Sequence, residues 1–205
     1  MRYLCTGWNS TGTSTIGKIL RDKSQRYTTY NEAMFNLLIE GKIKELIKIA
    51  SEVDSADDFP FNLLFKEITN YNPDVYVIHT YVSDLNVWIT RQKTLALRAP
   101  TKRLRIANSY LYGKASPFGN ENIFIERYME HNKEVCAFFE DSSNFIKVDL
   151  TFEGEQSKLL SWMSKNNLLG IDPKRPLPMI NVSKKPFASY SVDELKRIKH
   201  NITLL

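Results

Sequence analysis

A chain of 205 residues is long enough to bury a sizeable core and suits one domain with a small appendage. Its 42% hydrophobic and 25% charged residues exclude a disordered or fibrous chain, and no apolar run nears the roughly 20 residues of a membrane span. The net charge of +5 favours anionic partners, while two cysteines, Cys5 and Cys136, are too few for a disulfide framework or a zinc site and suit a reducing cytoplasm.

The first apolar run, residues 3–6, predicts a strand that starts too early for a signal peptide to precede it. It leads into a turn framed by Gly7 and Gly12, after which Thr13, Ser14 and Thr15 open a helix through residues 16–20. Strand, glycine turn and helix in this order make a phosphate cradle, because backbone N–H groups and the helix dipole face one anion. The loop keeps the gap of G-x-x-x-x-G, yet Thr13 stands where an NTP-binding loop puts its Lys. A capped helix with no ligand would use the same hydroxyl residues, so the pattern leaves both readings open.

A weaker strand is predicted at 27–30, followed by one long helix over 32–49 with Phe35, Leu38, Ile39, Ile43, Leu46 and Ile47 at helical steps. A short helix at 61–69 ends in the turn Asn70-Tyr71-Asn72-Pro73. Then come a strand at 75–80, helices at 85–97 and 123–139, a strand at 145–150 and a helix at 155–165. This alternation predicts a three-layer α/β/α domain over residues 1–182, with a central parallel sheet and ligands at the carboxyl ends of its strands. Past Gly170 the chain is rich in proline (Pro173, Pro176, Pro178), and residues 183–205 read as a basic appendage with a short helix at 192–199.

Positive charge is concentrated. Residues 98–105 carry Arg98, Lys102, Arg103 and Arg105 and no acid, and residues 171–205 are also basic. Such clusters suit a nucleotide cofactor, a sulfated or phosphorylated product, or nucleic acid, and they are equally the mark of a solvated face. No nucleic-acid-binding module accompanies them, which disfavours nucleic acid as the partner.

The order of these segments resembles the P-loop-like sulfotransferase family, particularly its compact microbial branch, across residues 1–182. Gly7-Trp8-Asn9-Ser10-Thr11-Gly12-Thr13-Ser14-Thr15-Ile16 is similar to the family's G-x-P-[KR]-x-G-T-[ST]-S-L loop. Asp57-Asp58-Phe59-Pro60 and Asn72-Pro73-Asp74 resemble its D-x-P segment and the entry to the central strand. Ser83-Asp84-Leu85-Asn86-Val87-Trp88 stands where the family has R-D-P-x-x-W. The run Tyr128-Met129-Glu130-His131-Asn132-Lys133-Glu134-Val135 matches its Y-x-x-H-N-x-x-V helix, and Pro178-Met179-Ile180-Asn181 its P-h-x-N ending. The resemblance implies a P-loop NTPase-like fold that binds PAPS, releases PAP and transfers a sulfuryl group to a small acceptor of unknown identity. It implies cofactor contacts from Gly7, Trp8, Asn9, Ser10, Thr11, Gly12, Thr13, Ser14 and Thr15.

Three positions depart from the family. Ser10 replaces the Lys or Arg beside the transferring group, Ser83 replaces the Arg that holds the cofactor's 3′-phosphate, and Arg91 stands where a Ser is usual. Arg91 lies about one helical turn from Trp88, so it is a candidate to restore the lost cation. The chemistry asks for hydrogen-bond donors to the sulfuryl oxygens, expected from the N–H groups of residues 11–14 and the Ser10, Thr13 and Ser14 hydroxyls. It also asks for a base, and Asp57 or Asp58 is the candidate, with a plain loop carboxylate or helix cap as the other reading. Trp8 is a candidate to stack on a ligand ring, His131 reads as a structural histidine in an apolar frame, and His79 stays open. No residue spacing suggests a metal. Two alternatives stand beside the transferase: a nucleotide or small-molecule kinase, and a non-enzymatic nucleotide-binding descendant of the fold.

Overall fold

A computed structural model describes residues 1–166 and Leu177. The described elements are β1 (Tyr3–Cys5), α1 (Thr13–Lys23), β2 (Tyr27–Thr28), α2 (Glu32–Ile39), α3 (Ile43–Glu52), β3 (Ser55–Ala56), α4 (Phe65–Tyr71), β4 (Tyr76–Thr80), α5 (Leu85–Arg98), α6 (Lys102–Tyr112), α7 (Glu121–Phe138), β5 (Phe145–Val148) and α8 (Glu153–Lys165). The predicted helix at 192–199 and the boundary at 182 lie outside the described residues. Contacts divide the chain into two compact units, Met1–Val82 with Asn132–Ile180, and Ser83–His131 with Asn181–Leu205.

The first unit holds a parallel sheet of order β2-β3-β1-β4-β5 with helices around it, the three-layer α/β/α class expected. Alternation along the strands decides what each face meets. Tyr3, Cys5, Ile78, Ile146 and Val148 point to one face, where Ile16, Ile19 and Leu20 of α1 pack with Leu159, Leu160 and Met163 of α8. On the other face Phe145 stacks on Phe139, which meets Phe65 of α4. The connection after β1 runs toward the β2 edge and that after β4 toward the β5 edge. The strand order therefore reverses around β1 and β4, and a crevice at their carboxyl ends is where such sheets bind ligands.

Three elements differ from the periodicity reading. The long helix predicted at 32–49 is two helices, because Gly41 adopts φ +69° and the Lys42 N–H bonds back to the Leu37 carbonyl, closing α2 with a left-handed cap. Strand β3 is missing from the prediction: two small buried residues, Ser55 and Ala56, carry no periodic signal. Helix α6 was read only as a basic cluster. Thr101 Oγ1 caps it by accepting from the Leu104 N–H at 3.1 Å, and Gly113 at φ +67° ends it.

In the second unit, Asp84 caps α5 by accepting from the N–H groups of Asn86 and Val87. Trp88 is fully buried and stacks on Tyr128 with ring centroids 4.0 Å apart, and Tyr112 stacks on Phe124 at 3.7 Å. An ion pair from Lys93 to Glu121, 2.7 Å long, ties α5 to α7. No described helix is long and apolar enough to cross a membrane. Trp88→Ala removes a large buried ring and its stacking on Tyr128, so urea unfolding is expected to show a loss of about 3–5 kcal/mol. A loss under about 1 kcal/mol would mean that the ring is not a packing centre.

Candidate functional site

The carboxyl edge of β1 is built by its neighbours. Leu4 is in register with Ala56 of β3, and Cys5 with Ile78 of β4. Continuing that register places Asp57 and Asp58 beside Cys5 and Thr6 on one side, and His79 and Thr80 beside Thr6 and Gly7 on the other, one strand spacing of about 4.8 Å away. Thr6 donates its N–H to the Ile78 carbonyl, and its hydroxyl lies 3.0 Å from His79 Nδ1. His79 Nε2 lies 3.0 Å from Asn132 Oδ1. An amide oxygen only accepts, so Nε2 donates to Asn132. His79 is thus a buried histidine held at both ring nitrogens.

The glycine loop is packed as tightly as a core. Thr11 donates both its hydroxyl (2.6 Å) and its N–H (3.2 Å) to the Trp8 carbonyl, and Thr80 Oγ1 lies 2.7 Å from Thr11 Oγ1. A Cβ on Gly7 would collide with the Thr80 hydroxyl. One on Gly12 would sit 2.8 Å from Leu150 Cδ1, at a residue with φ +106°. Both glycines are therefore demanded by protein neighbours and backbone conformation, whereas the sequence reading gave them the task of admitting an anion. Ser10 takes φ +68° without being glycine, a costly conformation that such a loop holds in place.

Donors at this edge are fewer than expected. The Thr11 N–H is consumed inside the loop, and the Thr13 and Thr15 hydroxyls are buried. Thr15 and Ile16 send their N–H groups to the Gly12 carbonyl, and Thr13 and Ser14 form the first positions of α1. Its first turn holds no acid, and Gly12 offers no side-chain cap. Ser14 is exposed, and Asn9 and Ser10 are half-buried. Trp8 is 1% exposed and belongs first to the core. Ser83 and Arg91 belong to the second unit, where both are exposed: Ser83 precedes the α5 cap, and Arg91 lies within the helix. His131 is buried in α7, as its apolar frame suggested.

The two candidate bases turn out to be different groups. Asp57 is buried against α1, where a Cβ on Gly17 would strike its Oδ2, and Tyr27 donates to its Oδ1 at 2.6 Å. Burial raises its pKa, opposed by hydrogen bonds from Thr29 and Tyr27 and by the Arg21 charge. Asp57 is a structural anchor. Asp58 lies at φ +61°, is half-buried, and accepts the Phe59 N–H at 2.8 Å. Loss of hydration, with the Asp57 charge beside it, pushes Asp58 up to about 6. Cys5, beneath both, has its thiol pushed well up by burial and then by Asp57, so it is inert.

Asn62 escaped the sequence reading. Its Nδ2 donates to the Gly7 carbonyl at 3.2 Å and its N–H to the Asp58 carbonyl at 3.1 Å, so one residue joins the acidic turn to the glycine loop. It is 2% exposed, and its Oδ1 has no hydrogen-bond partner in the described protein. The one sequence signal was a lone amide among Phe59, Phe61, Leu63 and Leu64. Asp149 ends β5 but is occupied by the Thr151 N–H and hydroxyl. Among the described residues no three His, Cys, Asp or Glu side chains cluster as for a metal ion.

Because the folded state holds the Asp58 proton more tightly than the unfolded chain, its contribution favours folding below about pH 3.8 and is lost as pH rises through about 6. Asp58→Asn keeps a residue that tolerates this backbone and an oxygen for the Phe59 N–H. At pH 7 it is expected to raise stability by roughly 1–3 kcal/mol, with the gain gone near pH 4. Urea titrations at the two pH values check this, and an equal gain at both would show that Asp58 has an ordinary pKa.

No protein-family model matches the chain and no curated protein matches it.

Proposed function

We propose that the protein is a PAPS-dependent sulfotransferase of the P-loop-like kind, acting on a small hydroxyl or amine acceptor in the cytoplasm. One observation carries the reading: an acid-free helix N-terminus at the carboxyl edge of β1, joined through Asn62 to a carboxylate with a pKa near neutrality. When bound, PAPS supplies a sulfuryl group activated on a phosphate leaving group. The Thr13 and Ser14 N–H groups and the Ser10 and Ser14 hydroxyls are suited to hold its oxygens. Asp58 is suited to take the acceptor's proton, being ionised at pH 7 yet closer to neutrality than an exposed carboxylate. Ser10 and Asp58 thus carry the chemistry, and Asp57 holds the turn that presents Asp58.

The missing loop cation has a cost. Neutral donors bind anionic oxygens about half as strongly as charged ones, and a lost contact of this kind slows such reactions by about 10²–10³. The reading therefore includes slow turnover. Ser83 stands where the family places its 3′-phosphate Arg, and Arg91 enters as the substitute cation for that phosphate.

Thermal melts test it. PAP at 100-fold excess over its dissociation constant is expected to add about 2.7 kcal/mol of stability, and ATP–Mg²⁺ much less. Stabilisation by ATP–Mg²⁺ alone would move the reading to a kinase, and by neither to a non-enzymatic descendant. Ser14→Asp adds an acid to the first turn of α1, where the dipole favours it, so the fold is expected to hold while PAP binding drops about tenfold or more. It is a cleaner variant than any at Gly12, whose backbone angle disfavours a side chain. Arg91→Ala is expected to lower the preference for PAP over AMP by about tenfold, since a charge-assisted contact to phosphate is worth roughly 1.5–3 kcal/mol. Equal small losses for both ligands would place Arg91 on a solvated face.

A further inference from the structure

The end of β4 carries a cation that the glycine loop lacks. Lys147 of β5 is in register with His79 of β4, so strand alternation puts its side chain on the same face as Tyr81, the residue that follows β4. Tyr81 continues the ladder by donating its N–H to the Val148 carbonyl at 3.0 Å. The two side chains are diagonal neighbours, both half-buried, and the Lys147 ammonium lies 4.3 Å from the centre of the Tyr81 ring. Burial raises the Tyr81 pKa, followed by the charges of Asp149 and Glu155, so the ring is a neutral phenol. Lys147 therefore has a π face as its partner. The neighbouring carboxylates are engaged elsewhere: Asp149 accepts from the Thr151 N–H and hydroxyl, and Glu155 pairs with Lys158 at 3.2 Å. Among the described residues no carboxylate pairs with Lys147.

This pair stands beside the loop. Thr80, whose hydroxyl touches Thr11, immediately precedes Tyr81, and Leu150, which meets Gly12, lies just past β5. We propose that Lys147 supplies from β5 the positive charge that Ser10 and Thr13 leave out of the loop, neutralising the sulfuryl group of bound PAPS, with Tyr81 as its positioning residue. The inference rests on the transferase reading above. An ammonium is a compact charge on a flexible four-carbon stem, so it can leave the ring without any movement of the loop. A charge-assisted hydrogen bond to an anion is stronger than a partly exposed cation–π contact, so a bound anion wins the competition with the ring. Lys147 offsets part of the charge missing from the loop, and the ring holds it near the site before the cofactor arrives.

The test is titration calorimetry of the full chain with PAPS and with PAP, which lacks the sulfuryl group. Lys147→Gln is expected to lower the affinity for PAPS by about tenfold or more and that for PAP by under about threefold. Lys147→Arg keeps the charge and is expected to restore most of the PAPS affinity. Tyr81→Leu keeps Lys147 but removes its ring, so a several-fold loss confined to PAPS is expected. Lys158→Gln removes a neighbouring cation already paired with Glu155 and is expected to change neither affinity. Should Lys147→Gln fail to fold by circular dichroism, Lys147→Met, which keeps an apolar stem on the ring, replaces it with the same expected direction. Equal losses for PAPS and PAP, no loss for either, or a loss with Lys147→Arg as large as with Lys147→Gln would overturn the proposal and leave the transferase reading standing. Failure of both ligands to bind the wild-type protein would overturn that reading, and this proposal with it.

Discussion

The carboxyl edge of the sheet depends on one close approach, the Thr80 hydroxyl lying between Gly7 and the Thr11 side chain. β1 and β4 are neighbours, and the chain must turn sharply out of β1 within the width of a strand. Only a residue without a side chain fits at Gly7, and the Thr11–Thr80 contact then fixes where the loop returns. From there the start of α1 follows, and so does the direction in which its first N–H groups point. The loop's order is thus a packing property of two adjacent strands. A ligand would meet it already formed, without the entropic cost of ordering it.

Beside that loop, two adjacent carboxylates have been separated by environment. Asp57 faces α1 and is held by Tyr27, whereas Asp58 sits in a left-handed residue and turns away from those partners. One therefore remains anchored while the other keeps its proton more readily. Their roles are set by what surrounds them, since the residue type is the same. The arrangement has an electrostatic consequence for anions at the α1 N-terminus. They would approach a negative neighbour, which opposes their binding.

Much of this was legible in the sequence. Strands β1, β4 and β5 are apolar runs bounded by turns, and α5, α7 and α8 show clear helical periodicity, so the parallel class followed. The failures are physical. β3 is two residues long and takes its identity from the pairing of Ser55 and Ala56 with β1 and β2, which no local pattern encodes. Gly41 was hidden inside an apolar repeat that continues across the break. At the site, the glycine turn and the Asp57-Asp58 pair could be read, but their roles could not. Asn62 matters through Gly7, fifty-five positions away in sequence. The split between the two aspartates depends on Tyr27 and Gly17, contacts that exist only once β2 and α1 flank β3.

The outer strands of the sheet bear on how the protein behaves at high concentration. Among the described residues these are β2 and β5. β2 is two residues long, and its Tyr27 is fixed inward by Asp57 and covered by the Arg21 guanidinium 5.0 Å from its ring. β5 carries Lys147, whose ammonium lies 4.3 Å from the Tyr81 ring centre. A strand too short to template another chain at one margin, and a charge set into the other, are the devices by which sheets refuse to extend into their neighbours. The bond that anchors Asp57 therefore also helps to close the sheet against self-association.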